Sequence, residues 1–343
     1  MVYIIRNATI LENSLKNNRM CCNIWSIDPE SLLTMRNGRA FFLEKMKPFQ
    51  SFDNQVSILK SRKLIVKSDV ELKNILKTDN YYRLSGYFKL FTEPQSDDFK
   101  SGFSFKTLLK IYNFDFELRI LLSRYLSSAE INSRTRIAYL FSQVASPDGY
   151  LNPNNFWDLS RHRDFVNKIR EEIAKNSRDP IVQHFTNLEE SIPIWALVEI
   201  MTFGVISKMF KNLKSNIQNT ICRSSEYKRR YSVSEYSNYL QATTILRNIC
   251  AHHGRLYGKM FPFNVCLSRN DRHIFSKYGY SMPFNSSSTL FFLIFALTKL
   301  IENDLMVKKL IKDLKHLFSK YRSYINLNNL GFYKNWNLVL LNC

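Results

Sequence analysis

The sequence predicts an all-α protein, and three observations support this prediction. Its 343 residues include only nine glycines and nine prolines, too few turn-forming residues for a β-sandwich or β-barrel. Hydrophobic residues make up 45% of the chain and recur at helical spacing over long stretches without glycine or proline. A Ser-x-x-Glu capping box, Ser232 to Glu235, stands before one such stretch. We therefore expect helices packed around a sizeable hydrophobic core.

The predicted helices follow one another along the chain, separated by short polar segments. The first is amphipathic, with Phe52, Val56 and Leu59 on one face, and the second follows Ser68. An aromatic block at 79–91 and a linker at 96–102 precede the longest one, and a loop at 146–155 follows it. In chain order the helices are expected at residues 52–59, 70–77, 105–143, 164–176, 192–210, 233–253 and, in two parts, 290–321.

Four segments describe the expected domain organisation. Residues 47–96 form a small N-terminal helical module, 97–325 form the main helical domain, and 326–343 form a C-terminal tail. Residues 1–46 lack clear periodicity and are an N-terminal extension. Two interpretations of this extension stand side by side: a poorly ordered segment and an over-extended start of translation.

The charge of the chain points to a polyanionic partner. Lys and Arg number 49 against 29 Asp and Glu, a formal net charge of +20. Nucleic acid is the commonest partner of such a protein, whereas genome composition and a membrane-surface role are the alternatives. No signal peptide is recognised, and the most apolar run, residues 290–297, is far shorter than the roughly 20 residues that span a bilayer. None of the six cysteines has C-x-x-C spacing, so we expect a cytoplasmic protein without metal, cofactor or membrane contact.

The segment LRNICAHHGRLYG, residues 246–258, carries the densest group of residues that could act on a phosphate. At about 100° per residue, Asn248 and His252 stack on one face of the predicted helix, while His253 points toward the core. Arg247 lies at the border between the two faces. Gly254 is expected at the C′ position that ends the helix. The two adjacent histidines are therefore predicted to differ in exposure.

These residues suffice for metal-independent cleavage of RNA. His252 could assist attack of the 2′-hydroxyl on the adjacent phosphate, with Arg247 stabilising the developing charge and Asn248 positioning the ring or the substrate. Arg247 and His252 diverge by roughly 140° on an ideal helix, so a complete acid–base pair is easier to assemble from two copies. An ordinary core helix with a solvated histidine at its end is the alternative, and the spacing alone favours that alternative.

The segment resembles the HEPN ribonuclease signature, Arg-polar-x3-His, in the form found in Abi-like abortive-infection proteins of the AbiD/AbiF type. Three further stretches resemble other blocks of that family in the expected order: residues 80–91, 112–122 and 192–213. The resemblance runs from about Lys47 to about Tyr321. Tyr257 stands where the family usually has a tryptophan-like residue.

The resemblance implies an all-α HEPN-type helical bundle and an antiphage function. It also implies a metal-independent endoribonuclease that works as a homodimer, and some similar proteins associate with a small noncoding RNA. Carried over by position, the signature makes Arg247, Asn248 and His252 the catalytic residues. His253 belongs to the same pattern and is a supporting residue.

Further residues invite a functional and a structural interpretation. Glu199, in an apolar stretch, is either a buried partner that orients Arg247 or His252, or a structural carboxylate that faces the surface or pairs with a structural Arg. In FDFELR, at 114–119, a structural ion-pair network is favoured over chemistry. In the aromatic block at 80–91, packing is favoured over base stacking. A basic segment with Tyr227 and Tyr231 interleaved suits single-stranded RNA, and a solvated face is its alternative. The predicted RNA-binding residues are Lys208, Lys211, Lys214, Arg223, Lys228, Arg229 and Arg230.

A non-catalytic protein that holds a structured noncoding RNA is the alternative function. A DNA-binding role for residues 47–96 ranks last, because no recognition-helix signature is present.

Overall fold

A computed structural model of the protein describes residues 48–280 and 287–342, together with the backbone of two short strands upstream. Helices dominate the described residues, which confirms the predicted all-α class. Strands β1 (Leu33–Arg36) and β2 (Arg39–Phe42) pair antiparallel, with Leu33 opposite Phe42. The α-helices are α1 (Phe52–Ser61), α2 (Asp69–Asp79), α3 (Tyr81–Phe88), α4 (Phe105–Ala145), α5 (Leu159–Lys175), α6 (Pro180–Asn187), α7 (Ile194–Ile200), α8 (Phe203–Asn212), α9 (Ser215–Arg223), α10 (Val233–Ala251), α11 (Arg269–Lys277), α12 (Leu290–Leu300), α13 (Asp304–Tyr321) and α14 (Trp336–Asn342).

The contacts divide the chain into two compact units, Met1–Gln55 and Val56–Cys343. The predicted boundaries at 46/47, 96/97 and 325/326 do not coincide with this division. Residues 56–96, predicted as part of a separate module, belong to the same unit as α4. The predicted tail contains α14, whose Trp336, Val339 and Leu340 are buried. Apart from the two strands, the extension at 1–46 lies outside the described residues.

Helix α4 is the central element of the larger unit. It begins at the N-cap Ser104, whose hydroxyl accepts a hydrogen bond from the Thr107 amide, and ends before Ser146, whose φ is 70°. No glycine or proline interrupts its 41 residues, which explains why the predicted range of 105–143 is nearly correct. Apolar residues are buried along most of its length, and it packs against α7, α8, α9, α10, α12 and α13.

Helix α10 carries the candidate motif and packs against four neighbouring helices. Its predicted capping box is confirmed, because the Ser232 hydroxyl and the Glu235 carboxylate each bind the other residue's backbone amide. Helix α10 packs against α4, α8, α9 and α12, and α12 is buried along nearly its whole length. One face of α10 therefore remains available to solvent.

The single helix predicted at 192–210 is wrong, because Met201 and Thr202 adopt extended backbone conformations and separate α7 from α8. Helix α7 buries Ile194, Leu197 and Val198, whereas α8 buries Phe203 and Ile206 among others. On one continuous helix these two apolar faces would lie roughly 160° apart, at about 100° per residue. The break allows both faces to reach the core.

Candidate active site at the end of helix α10

Helix α10 ends in a Schellman motif formed by the two histidines and the glycine that follows them. The Gly254 amide donates to the Ile249 carbonyl at 2.7 Å, and the His253 amide donates to the Cys250 carbonyl at 3.2 Å. His253, with φ 57°, occupies the left-handed C′ position that was predicted for Gly254. His252 is the C-cap residue. The helix thus stops two residues before the predicted end.

Because the helix ends early, the two histidines do not differ in exposure as predicted. His253 was predicted to point toward the core, and this is wrong, because its left-handed backbone takes it out of helical phase and leaves it exposed. His252 and Asn248 are also exposed, as predicted. Within the described part of the chain, neither imidazole has a hydrogen bond or an ion pair. Both rings are therefore available to a ligand.

A buried ion pair on α4 fixes the segment that follows the histidines. The Asp115 carboxylate, fully buried, accepts hydrogen bonds from the Leu256 and Tyr257 amides, the latter at 2.8 Å. Arg119 binds the same carboxylate at 2.6 Å and also donates to the Gly254 carbonyl at 3.3 Å. These contacts confirm the structural interpretation of FDFELR.

The N-terminal aromatic block supports the same turn. The Tyr87 hydroxyl donates to Asp115 at 2.7 Å, and the Arg83 guanidinium donates to the His253 carbonyl at 2.9 Å. Tyr87 and Phe88 are buried, which confirms packing as the main role of the block, although Tyr82 is exposed. Blocks that are far apart in sequence therefore position one short turn.

Tyr257 and Gly258 complete this support. The Tyr257 hydroxyl accepts hydrogen bonds from the Asn326 amide and the Asn329 side chain, which ties it to the segment after α13. Gly258 has φ 66°, and a Cβ atom there would lie 2.2 Å from Cδ1 of Leu90. Only glycine fits this position without displacing Leu90.

Arg247 is held at the surface by a carboxylate that the sequence did not reveal. Its Nε donates to Oε2 of Glu130 at 3.3 Å, and the two side chains are 40% and 14% exposed. The other Glu130 oxygen binds Arg134, which also donates to the Val198 carbonyl. Two arginines therefore share one carboxylate, which leaves the local charge positive. Glu130 had no sequence signal beyond its spacing from Arg134, because the crossing of α4 and α10 creates the contact.

Glu199 lies at the surface and is not the buried partner of Arg247. Its side chain is exposed, as the alternative interpretation had it, and Glu130 is the carboxylate beside Arg247. Its assignment as a supporting residue of the catalytic group remains an untested prediction. Glu199 lines a surface pocket together with Tyr139 and Trp195.

Cys250 precedes the histidines but is a core residue. Burial raises the pKa of its thiol to about 12, so the thiol stays protonated at neutral pH. Among the residues that the structure describes, no three His, Cys, Asp or Glu side chains are grouped as a metal site. No helix in the described ranges is long and apolar enough to cross a membrane.

The predicted RNA-binding residues divide between free and engaged side chains. Lys208, Lys211, Arg223 and Arg230 are exposed, and Lys214 is half-buried. Lys228 and Arg229 both pair with Asp304, and Arg229 also donates to the Thr298 carbonyl. Part of the predicted surface is therefore committed to intramolecular contacts.

The interleaved tyrosines pack against a buried arginine. Arg136 is buried, and its guanidinium lies 4.5 Å and 5.0 Å from the ring centres of Tyr227 and Tyr231. The same guanidinium donates to the Ile221 and Cys222 carbonyls at the end of α9. Tyr231 is buried, so its predicted availability to RNA is wrong; only Tyr227 is half-exposed.

The comparisons with known proteins identify the family. Neither the curated proteins nor the solved structures include a match to this chain. A family model described as Abi-like protein matches residues 74–258, more than half of the 343 residues, and the match includes the turn with Arg247 and His252. Such membership suggests abortive infection, a defence against phage. The chain belongs to the Abi-like protein family.

Proposed function

We propose that the protein is a metal-independent endoribonuclease of the HEPN type that acts in the cytoplasm during abortive infection. The observation that carries this proposal is the end of α10. There, an arginine held by Glu130 and the exposed Asn248 and His252 lie within six residues at the end of the helix, directly before the turn that Asp115 and Arg119 fix. Membership of the Abi-like family is compatible with this activity.

The proposed reaction needs only these side chains and RNA. The His252 imidazole removes the proton of a 2′-hydroxyl, whose oxygen attacks the adjacent phosphorus. The bond to the 5′-oxygen breaks, and that oxygen takes a proton and leaves as a hydroxyl, with a 2′,3′-cyclic phosphate on the other fragment. Arg247 stabilises the charge on the phosphoryl oxygens, and Asn248 positions the substrate or the imidazole. His253 remains a supporting residue in this proposal.

A second copy of the chain is part of the proposal, because the reaction has two proton transfers and the His252 of one chain performs only one of them. The surface beside the site supports such a homodimer. Phe116, Ile120 and Ile131 on α4 are exposed, and at about 100° per residue they fall within roughly 60° of one another. Phe116 and Ile120 lie one turn apart, and Ile131 lies about 16 Å further along α4, next to Glu130 and the Arg247 contact. Exposed apolar side chains beside a functional site are compatible with an interface.

The exposed cations extend the proposed contact with RNA. Lys208 and Lys211 lie one turn apart on α8, where they could follow a phosphate backbone. The same surface is available to a small noncoding RNA. A non-catalytic RNA-binding scaffold would use these cations without using His252, which makes the two functions separable.

Incubation of purified protein with single-stranded RNA in EDTA tests the proposal. We expect cleavage that leaves 2′,3′-cyclic phosphate ends and that falls by about 100-fold or more in His252→Ala and Arg247→Ala. His316→Ala removes an exposed histidine of α13 and is the matched control, with activity unchanged. Cleavage that needs a metal ion, or equal cleavage by His252→Ala, contradicts the mechanism. RNA binding that survives both substitutions without any cleavage identifies the scaffold function instead.

A further inference from the structure

A surface pocket of about 490 Å³ lies between α4 and α7. Ala138 and Val198 form part of its apolar lining, and Ser142 and Thr135 add hydroxyl groups. The Ser142 hydroxyl is used locally, since it donates to the Ala138 carbonyl at 2.8 Å. A pocket of this size and character fits a planar organic group better than an ion.

Two aromatic side chains line the pocket and remain open to solvent. Trp195 is 52% exposed and Tyr139 is 50% exposed. The structure shows no ring contact between them or from either to another described aromatic ring, whereas aromatic rings in the core pack against one another repeatedly. Large aromatic rings left open beside a pocket are typical of sites that stack on bases of single-stranded nucleic acid.

Glu199 gives the pocket its chemical preference. It is the only carboxylate among the described residues that line the pocket, and no hydrogen bond or ion pair engages it in the described part of the chain, whereas Glu226 outside this lining is bonded to the Tyr139 hydroxyl. A free carboxylate repels phosphate and accepts hydrogen bonds from neighbouring N–H groups. Guanine presents two such donors side by side, N1–H and the N2 amino group, which match the two carboxylate oxygens. Adenine and uracil present no such pair.

The pocket is connected to the candidate active site by direct contacts. Val198 lines the pocket, and its carbonyl accepts a hydrogen bond from Arg134, which binds Glu130, the partner of Arg247. Glu130 and Tyr139 are nine residues apart on α4, so they lie about 13 Å from each other along the helix axis and about 180° apart around it. An RNA strand that occupies both places therefore has to bend around α4.

We propose that this pocket binds a guanine base of the RNA substrate and thereby sets the position of cleavage. Trp195 and Tyr139 contact the faces of the base, and Glu199 accepts hydrogen bonds from its Watson–Crick edge. The inference rests on the proposed function in one respect, because it places the bound guanine and the cleaved phosphate on the same RNA strand. Guanine binding itself does not depend on catalysis.

Calorimetric titration with nucleoside monophosphates tests the pocket separately from cleavage. We expect affinity to fall from GMP to IMP, which lacks the N2 amino group, and again to AMP. Glu199→Gln lowers the affinity for GMP about tenfold or more and reduces the preference over AMP. Trp195→Ala lowers the affinity for all three about tenfold. Glu190→Gln and Trp157→Ala change an exposed carboxylate and an exposed indole outside the pocket, and both leave binding unchanged.

Mapping of cleavage sites on a random-sequence RNA completes the test. We expect guanine at a fixed distance from the cut in the wild type, and loss of that preference in Glu199→Gln. His252-dependent cleavage without guanine preference, together with equal affinity for GMP and AMP, overturns the inference and leaves the proposed function intact. Glu199-dependent GMP binding without any cleavage supports the pocket and overturns the proposed function. A change of oligomeric state in Trp195→Ala with GMP binding unaltered shows a protein contact and also overturns the inference.

Discussion

Asp115 illustrates how one buried residue positions the candidate site without entering its chemistry. Its carboxylate receives hydrogen bonds from Tyr87, from Arg119 and from the amides of Leu256 and Tyr257. Burial of two opposite charges is expensive, and the pair is tolerated because these donors surround the carboxylate. The sequence predicted an ion-pair network here but not the turn that it holds, because that turn lies about 140 residues further along the chain.

Replacement of Asp115 by Asn is expected to lower the free energy of unfolding by about 3 kcal/mol or more, because Arg119 then remains buried without a counter-charge. Chemical denaturation measures this change.

Glu117→Gln is the matched control on the same helix. It breaks the contact of Glu117 with Lys320, in which the side chains are 36% and 52% exposed, and its expected cost is below about 1 kcal/mol. Similar costs for the two variants would contradict the role assigned to the buried pair.

At the scale of the helix, periodicity predicted the course of α4 and the start of α10 but not the end of α10. The capping box is a local signal in four residues, so the sequence alone identifies it. The end depends on His253 accepting a left-handed backbone, and glycine is the usual residue at that position, so the sequence favoured Gly254 although histidine also adopts this conformation. The same limit explains Glu130, whose contact with Arg247 exists only because two helices cross.

Replacement of His253 by Gly is expected to raise the free energy of unfolding by about 0.5–1 kcal/mol, because glycine adopts φ 57° without steric cost. Thermal and chemical denaturation measure the effect.

His252→Gly is the natural comparison, since His252 has an ordinary φ of −93°. There glycine only adds freedom to the unfolded chain, so a loss of up to about 1 kcal/mol is expected. A loss at both positions would mean that His253 is not strained.

At the scale of the whole molecule, the family match includes the turn, but it does not determine how many chains form one site. If a second chain completes each site, the cleavage activity varies with the fraction of wild-type chains differently than it does when each chain carries an independent site. Mixing the wild type with an inactive variant distinguishes the two.

We expect the activity of a constant amount of wild type to fall to about one quarter after subunit exchange with a threefold excess of His252→Ala. About one wild-type chain in four then pairs with another wild-type chain, and only those dimers contain two intact chains. A cleavage assay under EDTA measures it, with a threefold excess of His316→Ala as control. Unchanged activity after verified exchange would assign a complete site to each chain.

The contrast between the fixed backbone of the turn and the free ring of His252 has a thermodynamic consequence. Hydrogen bonds from Arg83 and Arg119 and to Asp115 hold the backbone from residue 253 to residue 257, so the Cα of His252 is placed before any ligand arrives. Its imidazole has no partner in the described residues, so its side-chain torsions and its tautomer remain undetermined until binding. The substrate or the second chain must then supply the entropy cost of ordering the ring, which is on the order of 1 kcal/mol.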